Sequence, residues 1–439
     1  MRRFPTAALP TAALLVAGAL LLAGCGDRGG APSTTQLGAN PPLPDQHQYL
    51  LPPMHIAKPV PWGTTVPTVA AGLKVTALAT GFANVRSLYV LPNGDILAVE
   101  PKGPVEPVSQ PKDILVDWIQ GFGHSKVTGG NRITLLRDTD GDGKPDLRTV
   151  FLDHLSSPFG IAVIGDSLYV ANTDAIVRYP YASGQTRIAG AGTVLTELPG
   201  GPIDHHWTKS LVASPDGSKL YVGIGSNSNI TENGLEAEKE RARIWEVDPK
   251  TGAHRPLATG LRNPNGLTFN PVTGQLWAVI NERDELGPDL VPDYLTSVKD
   301  GAFYGWPYSY WGQHVDPRVR PQRPDLVAKA ILPDYSLGSH VAPLGLVFYA
   351  GAGLPAGYRG GAFVGEHGSW DRGKLSGYKV VWVPFAGGRP TGPARDIVTG
   401  FLDGEGHAKG RPVALAVDRS GALLIADDLG NVVWRVTGA

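Results

Sequence analysis

The sequence predicts an all-β protein, and within that class a six-bladed β-propeller. Three observations carry this expectation: a strand-turn-strand pattern that returns six times, an excess of turn-forming residues, and a scarcity of helical stretches. The 439 residues include 57 Gly and 39 Pro, about 22% of the chain against roughly 12% in ordinary proteins. These residues punctuate apolar runs rather than forming a low-complexity tract, which favours short strands and tight turns. A hydrophobic content of 42% excludes a disordered chain, and 18% charged residues with a net charge of −1 exclude a nucleic-acid binder driven by bulk positive charge. The single Cys excludes a disulfide framework and any zinc site built from several thiolates.

That Cys closes the first element. Arg2 and Arg3 form a basic start, an almost wholly small or apolar run follows, and Leu22-Ala23-Gly24-Cys25 ends it. The pattern resembles a bacterial lipoprotein signal, in which residues 1–24 are removed and Cys25 is lipidated. The alternative is an uncleaved signal anchor, since residues 6–24 nearly reach the length that spans a bilayer. Both readings export the remainder, which is mildly acidic once Arg2 and Arg3 are gone. Residues 25–71 carry nine prolines, including Pro41-Pro42-Leu43-Pro44, and read as a semi-extended tether.

Residues 72–439 hold the repeats. The first is Val85-Arg86-Ser87-Leu88-Tyr89-Val90, a Pro92-Asn93-Gly94 turn and Ile96-Leu97-Ala98-Val99. The others begin at Phe159, Leu211, Gly266, Gly345 and Val413, each with a second strand after a Gly, Asp or Asn turn except for a longer loop in the fifth. Further β-rich stretches such as Ile244-Trp245-Glu246-Val247 and Val432-Val433-Trp434-Arg435-Val436 follow most of them. A period of roughly 50 to 80 residues suits propeller blades, because one four-stranded sheet cannot bury both faces alone. The last repeat runs almost to Ala439, so a strand near Leu73 is expected to complete the final blade and close the ring. Helix is expected only as a short turn in the charged stretch 235–243.

The segments between repeats carry the chemistry. Asp204-His205-His206-Trp207-Thr208-Lys209 precedes the third repeat, Gly260-Leu261-Arg262-Asn263-Pro264-Asn265-Gly266 opens the fourth, Asn281-Glu282-Arg283-Asp284-Glu285 follows it, and Phe303-Tyr304-Gly305-Trp306-Pro307 comes next. In this order and spacing they resemble the glucose/sorbosone dehydrogenase family of six-bladed propellers, and within it the L-sorbosone-dehydrogenase-like group. The resemblance implies a quinoprotein oxidoreductase that uses pyrroloquinoline quinone with Ca2+ to oxidise an aldose, a sorbosone-like sugar or a related alcohol or aldehyde. It implies a histidine base ahead of the third inner strand, His206 by its spacing from Leu211 or else His205. Neutral imidazole suits proton abstraction near pH 7. It also implies that Arg262 and Asn263 flank the reactive quinone carbonyl, and that Lys409 and Arg411, with His367 after the fifth repeat, hold cofactor carboxylates. The aromatic run from Phe303 to Trp311 is expected mostly to pack between blades.

For metal, Glu282 and Asp284 fall where the family's calcium loop lies and either bind Ca2+ or pair with Arg283. A second acidic loop places Asp138, Asp140, Asp142 and Asp146 at spacings like the first part of an EF-hand. Its twelfth position is Thr149 and no flanking helices are evident, so the alternative is an Asp/Gly hairpin turn. The expected partners are a small sugar or alcohol, a periplasmic or membrane electron acceptor, and the membrane through the lipid anchor. Two rival readings use the same architecture: a calcium-dependent lactonase, against which the basic set argues, and a non-enzymatic binding propeller.

Overall fold

The computed structural model describes residues 30–49, 53–104 and 129–439; the signal segment and Cys25 lie outside them. The described residues form six antiparallel four-stranded sheets, the blades, with a fifth strand added at the outer edge of two. Blade 1 holds Ser87–Val90, Ile96–Glu100, Arg132–Arg137 and Leu147–Leu152, and blade 2 holds Gly160–Ile164, Ser167–Ala171, Ala175–Pro180 and Thr193–Glu197. Blade 3 runs through Leu211–Ala213, Leu220–Ile224, Arg243–Val247 and His254–Thr259; blade 4 through Asn263–Phe269, Leu276–Asn281, Pro292–Ser297 and Tyr335–Ser339. Blade 5 comprises Pro343–Phe348, Ala362–Glu366, Lys379–Val383 and Arg395–Thr399.

Blade 6 takes Pro412–Val417, Leu423–Asp427 and Val432–Gly438, and its fourth strand is Leu73–Thr80 from the other end of the domain. The register runs from Leu73 opposite Gly438 to Thr80 opposite Val432. The ring is therefore closed by backbone pairing between the two ends of the repeat region, as the sequence predicted. Helix among the described residues is limited to Pro324–Val327 and three short 3₁₀ turns, one of them at Leu235–Glu238 in the charged stretch.

Period-2 alternation explains the packing. In the second strand of blade 5 every residue is buried, yet Phe363 joins the apolar layer shared with blade 6 while Ala362 and Val364 join the layer shared with blade 4. In blade 1, Leu97 and Val99 face blade 2, and Ile96 and Ala98 face blade 6. One apolar layer thus fills each of the six blade interfaces. Tyr304, Tyr310 and Trp311 of the aromatic run belong to the layer between blades 3 and 4, as expected for packing residues. Near the axis the wedges converge until only glycine fits. A side chain at Gly160 would strike Leu211 of the next blade, and one at Gly345 would strike the Val413 carbonyl.

Residues 30–49 and 53–71, read from their prolines as a tether, lie against the propeller as a strap. Leu37–Gly38 pairs with the outer strand of blade 4, and Thr68–Val69 with that of blade 5, covering two exposed edges. Gln36, 3% exposed, donates to the carbonyls of Pro42 and Asp289 and accepts from Ser339. Trp62 packs edge-on against Trp434 and Phe401, and its Nε1 donates to Asp427 at 2.8 Å. Replacing Trp62 by Ala empties this site and removes one donor from a buried carboxylate. The expected cost is about 3–5 kcal/mol, read as a lowered denaturation midpoint in urea.

Candidate functional site

Antiparallel four-stranded blades put two sets of loops on one rim: the connections between successive blades and the loops between each second and third strand. A cavity of about 270 Å3 opens there, lined from blades 1, 3, 4 and 5 by residues that include Arg86, His206, Arg262, Asp284, His340 and His367. All six precede an inner strand or follow a second strand.

His206 Nδ1 lies 2.7 Å from the Ser226 carbonyl, which accepts only a proton-bearing nitrogen. The proton is therefore on Nδ1, and Nε2 is the ring nitrogen left to act as an acceptor. Burial, reinforced by the Arg262 guanidinium, holds the ring's pKa well below that of a free histidine. His205 also lines the cavity but is exposed. Asp204 does not line it: this carboxylate is 1% exposed, pairs with Arg241 at 2.7 Å and Lys209 at 3.4 Å, and accepts from Thr173. It anchors the base of the histidine loop.

Arg262 is held on several sides. It donates to the Glu282 carbonyl at 2.6 Å and to both oxygens of Asn229, and pairs with Asp284 at 3.2 Å. Trp306 supports this from behind by donating to the Asn229 carbonyl. Asn263 lines the cavity beside it, with a buried Oδ1 that has no hydrogen-bond partner among the described residues.

The two acidic residues of the blade 4 loop part company. Glu282 pairs with Arg283 at 3.0 Å, and Arg283, fully buried, also binds Asp316 and the carbonyls of Pro307 and Ser309. Asp284 instead meets His340 Nδ1 at 3.2 Å, and with Asp371 these two bring their ligand atoms within 4.8 Å of one another. Burial alone would lower the His340 pKa, but Asp284, Asp371 and Asp293 outweigh it and raise it to about 9. Asp371 is pushed up to about 7 by burial, and its Oδ1 has no hydrogen-bond partner among the described residues. The candidate metal position is thus the acidic pair Asp284 and Asp371, with the protonated His340 beside it; Glu282 also lines the cavity, giving one oxygen to Arg283 and keeping a buried Oε1 without a partner among the described residues.

Of the three cationic residues expected for cofactor carboxylates, Lys409 points elsewhere. The neighbouring Ala408 pairs with Lys58 and Val60 of the strap, and the Lys409 ammonium reaches Thr65 at 3.4 Å. Backbone pairing with the strap, invisible in the local sequence, turns this side chain off the cavity. Arg411 stands behind the lining, 5.7 Å from the Tyr378 ring, with a buried Nε that lacks a partner among the described residues. His367 lines the cavity and meets the Asp428 carboxylate through Nε2 at 3.0 Å. Burial would raise the Asp428 pKa, but His367 and Arg86 outweigh it and hold it at about 2. Glu366, next to His367, is a separate case: it is 1% exposed, burial pushes it up to about 8, and its Oε2 has no hydrogen-bond partner among the described residues.

The Asp138 loop forms the hairpin between the third and fourth strands of blade 1, at the end away from the cavity. Asp138, Asp140 and Asp146 converge there; Asp142 is not in that group and caps Lys144 N–H. The carboxylates of Asp138 and Asp146 are engaged by N–H groups of Gly141, Gly143 and Thr139, the pattern of a self-satisfied Asp/Gly turn. His340, Asp371, Arg86 and Asp428 escaped the sequence reading. Arg86 and His340 precede inner strands as His206 and Arg262 do, and Asp428 follows a second strand as Glu282 does, so blade position was the available signal.

The fold and site define a six-bladed propeller with a polar, cation-rich cavity at one end of its axis. The chain belongs to the glucose/sorbosone dehydrogenase family, which it matches over residues 82–369; a TrAA12-like family also matches over residues 326–439. It is 29% identical over 294 residues to an uncharacterised protein of Borreliella burgdorferi, covering 64% of this chain and 76% of that one. Among solved structures it resembles the pyrroloquinoline quinone domain of a Coprinopsis cinerea pyranose dehydrogenase, at 22% identity and a TM-score of 0.67, over 85% of this chain and 97% of the other. It also resembles a Trichoderma reesei enzyme of carbohydrate-active family AA12, at 19% identity and a TM-score of 0.69, over 90% and 100%. These likenesses in fold cover most of the chain.

Glu366 gives a pH test of the buried charges. Its folded pKa of about 8 lies above the ordinary 4.5, so the protein is favoured below pH 4.5 and pays a growing penalty as pH rises towards 8. Glu366→Gln is expected to match the parent near pH 4.5 and to exceed it by about 1–3 kcal/mol at pH 8, measured as the difference in unfolding midpoints across the series.

Proposed function

We propose that this protein is an exported quinoprotein dehydrogenase that oxidises a sugar or a related alcohol or aldehyde, with pyrroloquinoline quinone as cofactor and Ca2+ as its metal. The observation that carries the reading is His206: a cavity-lining imidazole, neutral at pH 7, with its proton fixed on Nδ1 and a buried guanidinium beside it.

The donor set fits an anionic cofactor and a hard cation. The buried Nε of Arg86 and that of Arg411 have no acceptor, and Asn263 Oδ1 and Asp371 Oδ1 have no hydrogen-bond donor, among the described residues. A cofactor with three carboxylates and two carbonyls would supply an acceptor to Arg86, which lines the cavity, and Ca2+ takes oxygen ligands such as the second pair together with Asp284. Arg262 and Asn263 would hold the cofactor's reactive edge and His367 a carboxylate, while Arg411, behind the lining, would add its positive charge from a distance.

When bound, the quinone accepts the hydride that leaves the substrate carbon. The chain's own residues do the rest. His206 Nε2 takes the hydroxyl proton, and the Ser226 carbonyl stabilises the imidazolium through Nδ1. Arg262, immobilised by Asn229 and Asp284, presents a fixed positive charge where negative charge develops. Trp207 and Trp370 line the cavity and exclude water from the reacting groups. A calcium-only lactonase would leave the buried Nε of Arg86, which lines the cavity, without an acceptor, which disfavours that reading. The same proposal includes cleavage after residue 24, lipidation of Cys25, a propeller domain from residue 72, and delivery of electrons to a periplasmic or membrane acceptor.

Reconstitution tests it. Purified apoprotein with Ca2+ and pyrroloquinoline quinone should bind the cofactor and reduce a dye with some member of a panel of aldoses, sorbosone and alcohols; absence of cofactor binding under every condition sinks the proposal. In the active preparation, His206→Ala should keep cofactor affinity and lose about 10²- to 10⁴-fold in turnover. Arg262→Met should weaken both, and Lys409→Ala neither, as measured by cofactor titration and steady-state rates. A loss confined to His205→Ala would move the base to that residue.

A further inference from the structure

The charge of the cavity is unevenly balanced. On the blade 4 side each acid has its counterpart: Glu282 pairs with Arg283, Asp284 with Arg262 and His340, and Asp293 accepts the N–H groups of Glu282 and Ala342. Where blades 6 and 1 meet, one carboxylate among the described residues, Asp428, faces three basic side chains. It contacts His367 at 3.0 Å and Arg86 at 3.6 Å, and Arg411 lies within its field. Among the described residues, two guanidiniums against one carboxylate leave a net positive charge on this wall of the cavity.

Arg86 is the less satisfied of the two at the cavity surface. Its side chain is 13% exposed, and it lines the cavity, whereas Arg411 does not. A guanidinium carries five N–H donors. Among the described residues that of Arg86 has one ion pair, too long for a hydrogen bond, and a ring contact with Trp207 at 5.7 Å. Its Nε is buried and unpartnered. Leaving such a cation unpaired costs several kcal/mol, and a carboxylate is the planar anion that its fork fits. Blade 1 stands three blades from blade 4, so Arg86 faces Arg262 across the axis, and it touches the ring of Trp207, the residue after His206.

We propose that the blade 1 wall is a carboxylate-binding subsite in which Arg86 grips an organic anion beside His206. Two sources have that chemistry: an acidic sugar substrate such as a uronate, or a carboxylate of the quinone cofactor itself. The second source rests on the function proposed above; the first is read by binding alone.

The test is calorimetric titration of D-glucuronate, D-glucose and pyrroloquinoline quinone, each separately, into three apoproteins: the parent, Arg86→Gln and Arg86→Lys. In Arg86→Gln the Asp428 carboxylate keeps His367, and matching unfolding midpoints establish that the variant is folded. The expected result is a loss of about 10- to 100-fold in affinity for at least one anion in Arg86→Gln, a smaller loss in Arg86→Lys, which keeps the charge without the fork, and no change for glucose. Loss for glucuronate with the quinone unaffected assigns the subsite to substrate; loss for the quinone assigns it to cofactor. Equal affinity of the parent and Arg86→Gln proteins for both anions, or no binding of either anion to the parent, overturns the proposal. Arg86-dependent binding of glucuronate without any quinone binding would overturn the quinoprotein reading and leave the subsite standing.

Discussion

Burial of both faces of every sheet is the condition on which the rest of this molecule depends. A four-stranded blade with alternating apolar residues has two sticky faces and cannot satisfy either alone. Six blades in a ring cover all twelve faces with six shared layers, provided that the ring closes. Pairing of Leu73–Thr80 with Val432–Gly438 closes it. The same geometry brings the inner strands together at the axis, where Gly160 and Gly345 let neighbouring backbones meet, and it gathers the inter-blade connections on one rim. The site is a consequence of that gathering: residues from blades far apart in sequence become neighbours because their loops share an end of the axis.

Within the rim, charge is sorted by blade. The blade 4 and 5 side concentrates carboxylates, with Asp371 and Asp293 both raised to about 7 by burial and His340 raised to about 9 by the acids around it. The blade 6 and 1 side concentrates guanidiniums around Asp428, which stays ionised with a pKa of about 2. His206 lies between them on the blade 3 loop and is kept neutral. A cavity that offers oxygen ligands on one wall and N–H donors on the other is suited to a ligand with both a cation and anionic groups, which is why the charge distribution and the proposed chemistry agree.

The strap ties these parts together from outside. It touches the loops that carry the site on three blades: His47 N–H binds the Leu286 carbonyl, His55 N–H binds that of Trp370, and Trp62 binds Asp427, whose other oxygen holds the backbone N–H of Arg411. Buried Arg372 joins strap to loop by bonding the Ala31 carbonyl and Asp289. A proline-rich segment with no periodicity therefore acts as part of the scaffold, because extended chain pairs readily with exposed sheet edges and needs no amphipathic pattern to do so.

By itself the sequence determined the class of fold, the number of blades, the closing strand and the family, since these follow from alternation within strands and from motifs whose residues are close in the chain. It also placed His206, Arg262, Asn263, Asp284 and His367 on the cavity. The outermost strands, such as Thr193–Glu197, were harder to read because solvent on one side removes the apolar signal. Side-chain direction was out of reach. Lys409 reads as one of a basic pair, and only its pairing with the strap turns it away; Glu282 and Asp284 read alike, and only the buried Arg283 claims one while His340 claims the other. Arg86, Asp371 and Asp428 are ordinary residues of three separate loops until the ring closes. Tertiary structure decided their roles because charge balance is a property of neighbours in space, and here the neighbours come from opposite ends of the chain.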